Sequence, residues 1–158
     1  IDSAKVRVHA ATYSATQSSP YVTSLKAAIE RGVEVTVLVD LVHQASAVEM
    51  LAREFSGASL LDLLPRGDGK YAVMHAKLVL VDDATALVTS ANFSESAADR
   101  NLEVGVIIRD STVVRGMREH LDALPRGGDA RQRVRRQLDP RVAASHSDHV
   151  VDVHAVVV

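Results

Sequence analysis

The residues with chemical reach sit in one stretch, MHAKLVLVDDATALVTSANFSESAADRNLEVGVII, residues 74–108. His75 and Lys77 stand two apart, Asp82 follows, Ser90 and Asn92 are again two apart, and Glu103 comes last. Side chains two apart on an extended strand share a face. His75 with Lys77, and Ser90 with Asn92, are therefore each expected to point one way. A turn at Asp82-Asp83-Ala84 would carry the second pair back beside the first. An imidazole, a fixed cation, a hydroxyl, an amide and a carboxylate then converge on one point, a set suited to the oxygens of a phosphate. Imidazole titrates near neutrality and can serve as nucleophile or as acid and base. Lys77 would stabilise charge on the phosphoryl oxygens, and Ser90 and Asn92 would donate hydrogen bonds to them.

The elements that must position these groups alternate between strand and helix patterns. Residues 5–13, KVRVHAATY, read as a strand. Pro20 opens a helix with Val22, Leu25 and Ile29 at helical spacing and Gly32 as its stop. Residues 33–40, VEVTVLVD, form a near-continuous apolar run, which predicts a strand covered on both faces. Ser46 with Glu49 predicts a capping box for a second helix through Val48, Leu51 and Phe55, ended by Gly57. A short strand, SLLDLLP, and a loop over Arg66–Lys70 precede the two motif strands, and NLEVGVIIRD, 101–110, reads as another apolar strand. Asp110-Ser111 can cap a last helix with Val113, Met117, Leu121 and Leu124 on one face, stopped by Pro125. The alternation predicts an α/β fold, an αβα sandwich around a mixed, mostly parallel sheet.

His75-Ala76-Lys77, then four residues, then Asp82, resembles the first half of the HKD signature of the phospholipase D superfamily. Thr89-Ser90-Ala91-Asn92 resembles the second half, with Thr89 where the family has Gly, a change that adds bulk beside the phosphate site. Glu103 matches the downstream acidic residue. The resemblance covers roughly residues 5–124 and implies the same sandwich fold. It implies that one histidine attacks phosphorus to form a phosphohistidine while a second protonates the leaving alcohol. Glu103 would accept from the other nitrogen of the imidazole, Asp82 would bond structurally in the turn, and no metal or other cofactor is needed. Single-motif members are homodimers sharing one active site, which implies a C2 dimer with the two His75 residues facing across the axis. The run 78–110 is also similar to the phospholipase-D-like component of DISARM anti-phage defence systems. That likeness implies a cytoplasmic protein beside a helicase and a methyltransferase.

At 158 residues the chain is expected to form one domain with a sizeable core. There is no Cys, hence no disulfide framework or thiolate metal site, and aromatics are scarce at 3%, which argues against base-stacking platforms. No apolar run is long enough to predict a membrane span, and no signal peptide is visible, though a start at Ile1 suits a chain truncated at its N-terminus. Residues 1–125 carry twelve Lys and Arg against sixteen Asp and Glu, so that part has no basic footprint for tight nonspecific duplex binding. Residues 126–158 have a different character and are set apart as an unassigned tail. Arg131, Arg133, Arg135, Arg136 and Arg141 form a basic run, and His146, His149 and His154 with Asp148 and Asp152 are a weak candidate for a metal site.

The leading expectation is a metal-independent phosphodiesterase acting on nucleic acid. A phospholipase or phosphatidyltransferase is the competing enzyme. A domain that binds phosphate backbones without turnover is the third reading.

Overall fold

The computed structural model describes residues 1–63, 73–124 and 126–129. The chain runs β1 (Arg7–Ala11), α1 (Pro20–Glu30), β2 (Glu34–Val39), α2 (Ala45–Glu54), β3 (Ser59–Leu63), β4 (Leu78–Val81), β5 (Thr85–Thr89), α3 (Glu95–Asp99), β6 (Gly105–Ile108), α4 (Ser111–Ala123) and β7 (Arg126–Asp129). The strands form one sheet in the order β6-β5-β4-β1-β2-β3-β7. The sheet is mixed, as expected, with two of its six pairings parallel. Parallel pairing joins β1, β2 and β3, while β4, β5 and β6 run antiparallel to their neighbours and β7 pairs antiparallel with β3.

Alternation along the strands sends side chains to two cores. Val8, Ala10, Val35, Val37, Val39 and Val79 meet Val22, Leu25 and Ala28 of α1 and Val48 and Leu51 of α2 on one face. Ala11, Leu38, Leu78, Leu80 and Ala86 meet Val114 and Leu121 of α4 on the other. β2 is thus covered on both faces, which explains why its sequence is apolar at successive positions. Each fully buried Val or Leu contributes about 1.5–3 kcal/mol of transfer free energy.

Helix ends show where local signals decide and where they do not. Gly32 and Gly57 follow α1 and α2 with φ of +82° and +103°, conformations in which a side chain would be strained. Asp110 caps α4 by accepting from the backbone N–H of Thr112 at 2.8 Å and Val113 at 3.1 Å. The capping box expected at Ser46 and Glu49 is not formed. α2 begins at Ala45 after Gln44, because Gln44 N–H already donates to the Asp40 carbonyl and Val48 N–H to that of Gln44. Ser46 therefore lies inside the first turn. On α4 the buried stripe passes through Val114, with Val113 47% exposed, so the expected face is off by one residue at its start.

β7 lies beyond the boundary expected at Pro125, so the sheet continues four residues into the segment set apart as a tail. The Arg66–Lys70 loop, the basic run from Arg131 to Arg141 and the three C-terminal histidines lie outside the described residues.

Candidate active site

One row of paired residues crosses most of the sheet: Leu38 on β2, Ala11 on β1, Leu78 on β4, Val88 on β5 and Val106 on β6. The candidate residues stand just beyond this row, at one end of the strands. His75 and Lys77 precede Leu78, Ser90 and Asn92 follow Val88, and Glu103 precedes Val106. Because β4, β5 and β6 are antiparallel in turn, a strand start, a strand end and another strand start meet there. Asp82, at the far end of β4, is not part of this group.

The motif residues expected within strands lie outside them. β4 starts at Leu78, so His75 and Lys77 belong to the segment leading in, and β6 starts at Gly105, two residues after Glu103. The cause is what the chain after β1 pairs with. Residues 12–16 leave β4 and join the segment after β5: Phe93 N–H donates to the Ser14 carbonyl at 3.1 Å, and Thr16 N–H to that of Phe93 at 2.8 Å. Phe93 is fully buried and stacks on Tyr21 with ring centroids 4.7 Å apart. With β1 diverted, residues 74–77 have no strand partner on that side. They are held by other bonds. Met74 N–H donates to Asp40 Oδ2 at 3.0 Å, and the Lys77 carbonyl accepts from Thr89 N–H at 3.1 Å.

His75 is exposed, and its ring lies 5.0 Å from that of Tyr13. Lys77 is 8% exposed; its Nζ donates to the His75 carbonyl at 2.8 Å and lies 5.7 Å from the Tyr13 ring centroid. An ammonium has three hydrogens, so two remain for other oxygens. Burial lowers the Lys77 pKa from its ordinary value, and the negative charge of Glu103 opposes that shift. Tyr13, two residues past the end of β1, was not among the expected site residues. Its signal was positional: it stands beyond its strand as Ser90 stands beyond β5.

Two of the expected site residues bond to each other. Ser90 Oγ donates to Glu103 Oε2 and accepts from Val104 N–H at 3.1 Å. Glu103 takes that bond and a second from Asn101 Nδ2 at 3.1 Å; no hydrogen bond joins it to His75 among the described residues. Each carboxylate oxygen thus accepts one bond from a neighbour and keeps a second lone pair. The Ser90 and Asn101 hydrogen bonds hold Glu103 below the usual glutamate range, with Lys77 adding to the effect and partial burial opposing it. Thr89 does not simply add bulk. Its Oγ1 donates to the Val104 carbonyl at 3.2 Å and accepts from Ala91 N–H at 3.1 Å, tying β5 to the start of β6.

Asn92 lies between the buried residues Ala91 and Phe93, which fix its backbone. Its Oδ1 is buried without a partner, and its amide makes no hydrogen bond within the described residues. Asp82 accepts from the backbone N–H groups of Lys5, Val6 and Arg7 at 2.7, 2.8 and 2.9 Å, fastening the start of β1 to the end of β4. Among the described residues no cluster of three or more His, Asp or Glu could hold a metal ion, and no helix is long and apolar enough to cross a membrane.

Comparison with known proteins decides the family. Residues 1–124 match the family described as "Cardiolipin synthase, PLD-like domain". The chain belongs to the phospholipase D-like family. Members of this family act on phosphodiesters. The protein is 29% identical over 100 residues to "Probable cardiolipin synthase YwiE" of Bacillus subtilis (strain 168), covering 63% of this chain and 20% of that protein. It is 28% identical over 90 residues to "Cardiolipin synthase A" of Buchnera aphidicola subsp. Acyrthosiphon pisum (strain Tuc7), covering 57% and 18%. The chain therefore spans about a fifth of the length of these curated relatives. Among solved structures, NucT from Helicobacter pylori superposes with a TM-score of 0.69 at 22% identity, covering 80% of this chain and 84% of that one. Nuc from Salmonella typhimurium, a phospholipase D family member, gives 0.62 at 28% identity, covering 75% and 77%. These likenesses show the same mixed α/β fold in this phospholipase D-like protein.

Proposed function

We propose that this phospholipase D-like protein is a metal-independent phosphodiesterase, a nuclease, acting through a phosphohistidine on His75. The observation that carries the reading is the meeting of exposed His75, buried Lys77 and the uncommitted Asn92 amide at one end of the sheet's strands. A ring nitrogen of His75 attacks phosphorus, and the ester bond to the leaving oxygen breaks as a second imidazole protonates that oxygen. Water then attacks phosphorus and gives its proton to the second imidazole, and the N–P bond breaks to release the phosphomonoester and free His75. Lys77 and Asn92 bind the phosphoryl oxygens as charge develops. Glu103 acts within the chain through Ser90 and as the counter-charge to Lys77.

The second imidazole comes from His75 of another copy across a twofold axis. β6 is an edge strand, and Leu102, Val104, Val106 and Ile107 around it are 98%, 71%, 59% and 54% exposed, beside Glu103. An apolar edge next to the site suits the approach of a second copy. The likeness to Nuc, at 28% identity, supports the nuclease reading; the cardiolipin synthases of Bacillus subtilis and Buchnera aphidicola are relatives of the other kind. The family description and those two relatives favour phosphatidyl transfer as the second reading. The cellular setting proposed, anti-phage defence beside a helicase and a methyltransferase, rests on sequence resemblance alone.

The test is cleavage of end-labelled single- and double-stranded oligonucleotides in excess EDTA, with His75→Ala in parallel and the mass in solution read by light scattering. Cleavage by a dimer that is lost in His75→Ala is the expected result. Intact oligonucleotides together with His75-dependent transfer between phosphatidylglycerol molecules would replace the nuclease by the second reading. Full activity of a monomer would remove the shared site.

A further inference from the structure

Asp40 stands two residues past Leu38, beyond the same row that the motif residues border. Its carboxylate is almost fully buried, the residue being 3% exposed, and it is bonded from two directions. Oδ1 accepts from the backbone N–H of His43 at 2.9 Å, and the His43 ring Nδ1 lies 2.9 Å from Oδ1 and 3.0 Å from Oδ2. Oδ2 also accepts from Met74 N–H, the residue before His75. One buried carboxylate thus fixes both the ring of His43 and the segment that carries His75. With Nδ1 on the carboxylate, Nδ1 carries the ring hydrogen and Nε2 is the nitrogen turned away. The His43 side chain is 37% exposed.

We propose that His43 is a substrate-binding residue on the flank of the active site, where its Nε2 meets the phosphate neighbouring the scissile one in a nucleic-acid strand. The proposal rests on the nuclease reading above. Asp40 Oδ2 lies 3.0 Å from both the His43 Nδ1 and the Met74 backbone nitrogen, so the ring is held beside the segment that carries His75. To donate to a phosphate oxygen Nε2 must carry a hydrogen, which makes the bound ring an imidazolium. The Asp40 carboxylate balances that charge, as a carboxylate behind an imidazole does in other sites. Exposed imidazole and buried carboxylate are otherwise an odd use of a buried anion, since the backbone bonds of Asp40 need no ring beside them.

Steady-state kinetics on the full chain with two diesters tests this. Bis(4-nitrophenyl) phosphate has no second phosphate, whereas an oligonucleotide has one beside every scissile bond. His43→Ala should raise KM for the oligonucleotide roughly ten- to a hundredfold with little change in kcat, the worth of one hydrogen bond to a charged group. The loss should be confined to the oligonucleotide, and His43→Arg, which restores a cation, should recover much of it. Equal losses on both diesters would make His43 a structural or reacting residue, and no loss on either would show that it touches no substrate; both overturn the proposal. Failure of the nuclease reading looks different, since wild type would then cleave oligonucleotides no better than His75→Ala. In that case anisotropy of a fluorescein-labelled oligonucleotide, titrated with His75→Ala and with His75→Ala/His43→Ala, decides. A matching rise in Kd keeps the contact, and an unchanged Kd removes it.

Discussion

Asp82 offers the sharpest quantitative prediction, because its work is at the opposite end of β4 from His75. Its carboxylate accepts three backbone N–H bonds from Lys5, Val6 and Arg7, two on Oδ1 and one on Oδ2. The site is partly open to water, so each bond is worth about 1 kcal/mol net. Asp82 also has φ of +50°, a left-handed conformation that aspartate tolerates and alanine resists by roughly another 1 kcal/mol. Asp82→Ala should therefore cost about 3–4 kcal/mol. Asp82→Asn can keep both Oδ1 bonds but sets an amide NH2 against the Lys5 N–H, and should cost about 1–2 kcal/mol. For a chain of this size, 3–4 kcal/mol lowers Tm by about 6–16 °C. The acid limb gives a second readout. Partial burial pushes the Asp82 pKa up, but the bonds from Arg7, Lys5 and Val6 outweigh it and leave it below the ordinary 3.8. The unfolded chain then binds the proton more readily, so this stabilisation is complete above pH 3.8 and is lost as pH falls through the lower folded value. Urea unfolding at pH 7, 5 and 3 measures both effects. A loss under about 0.5 kcal/mol for Asp82→Ala at pH 7, against the three bonds counted here, would refute the reasoning. So would an acid limb identical to that of wild type.

Lys77→Met should lower kcat about 10²- to 10³-fold, as removal of one preorganised charge-stabilising donor does. It should leave stability within about 1 kcal/mol, because the lost bond to the His75 carbonyl is offset by removing a cation that burial disfavours. A kcat within threefold of wild type, well short of about 10²-fold, would place Lys77 away from the reacting oxygens. His9, on β1 beside Asp122 of α4, has its pKa lowered chiefly by burial, with Asp122 opposing. The unfolded chain therefore takes up that proton first, and stability should fall as pH drops below 6.5. Urea midpoints at pH 7.5 and 5.5 should show this slope flattened in His9→Gln, and equal slopes would remove His9 as its source.

Much of this protein is legible from local pattern. Pro20 and Gly32 bracket α1, the apolar run of β2 announces a strand covered on both faces, and Asp110 caps α4, since each depends on residues within a turn or two of one another. The motif residues and the family were legible too, because their spacing along the chain is the signal. Exact strand limits were not. His75 and Lys77 read as strand residues, yet β4 begins at Leu78 because the chain after β1 turns away, and Ala15 pairs with Phe93, far along the sequence. The same long-range pairing brings Tyr13 against His75 and the Asp40–His43 pair against Met74, contacts that no local pattern encodes. The bond between Ser90 and Glu103 was not legible either. Spacing shows that a hydroxyl and a carboxylate are available at the site, but a hydroxyl has one hydrogen, and only the antiparallel register of β5 on β6 decided that Ser90 gives it to Glu103. The sequence by itself determined which chemical groups this protein brings to one end of its strands. The tertiary structure decided which of them remain free to meet a substrate, because a hydrogen bond is assigned by proximity in space and not by separation along the chain.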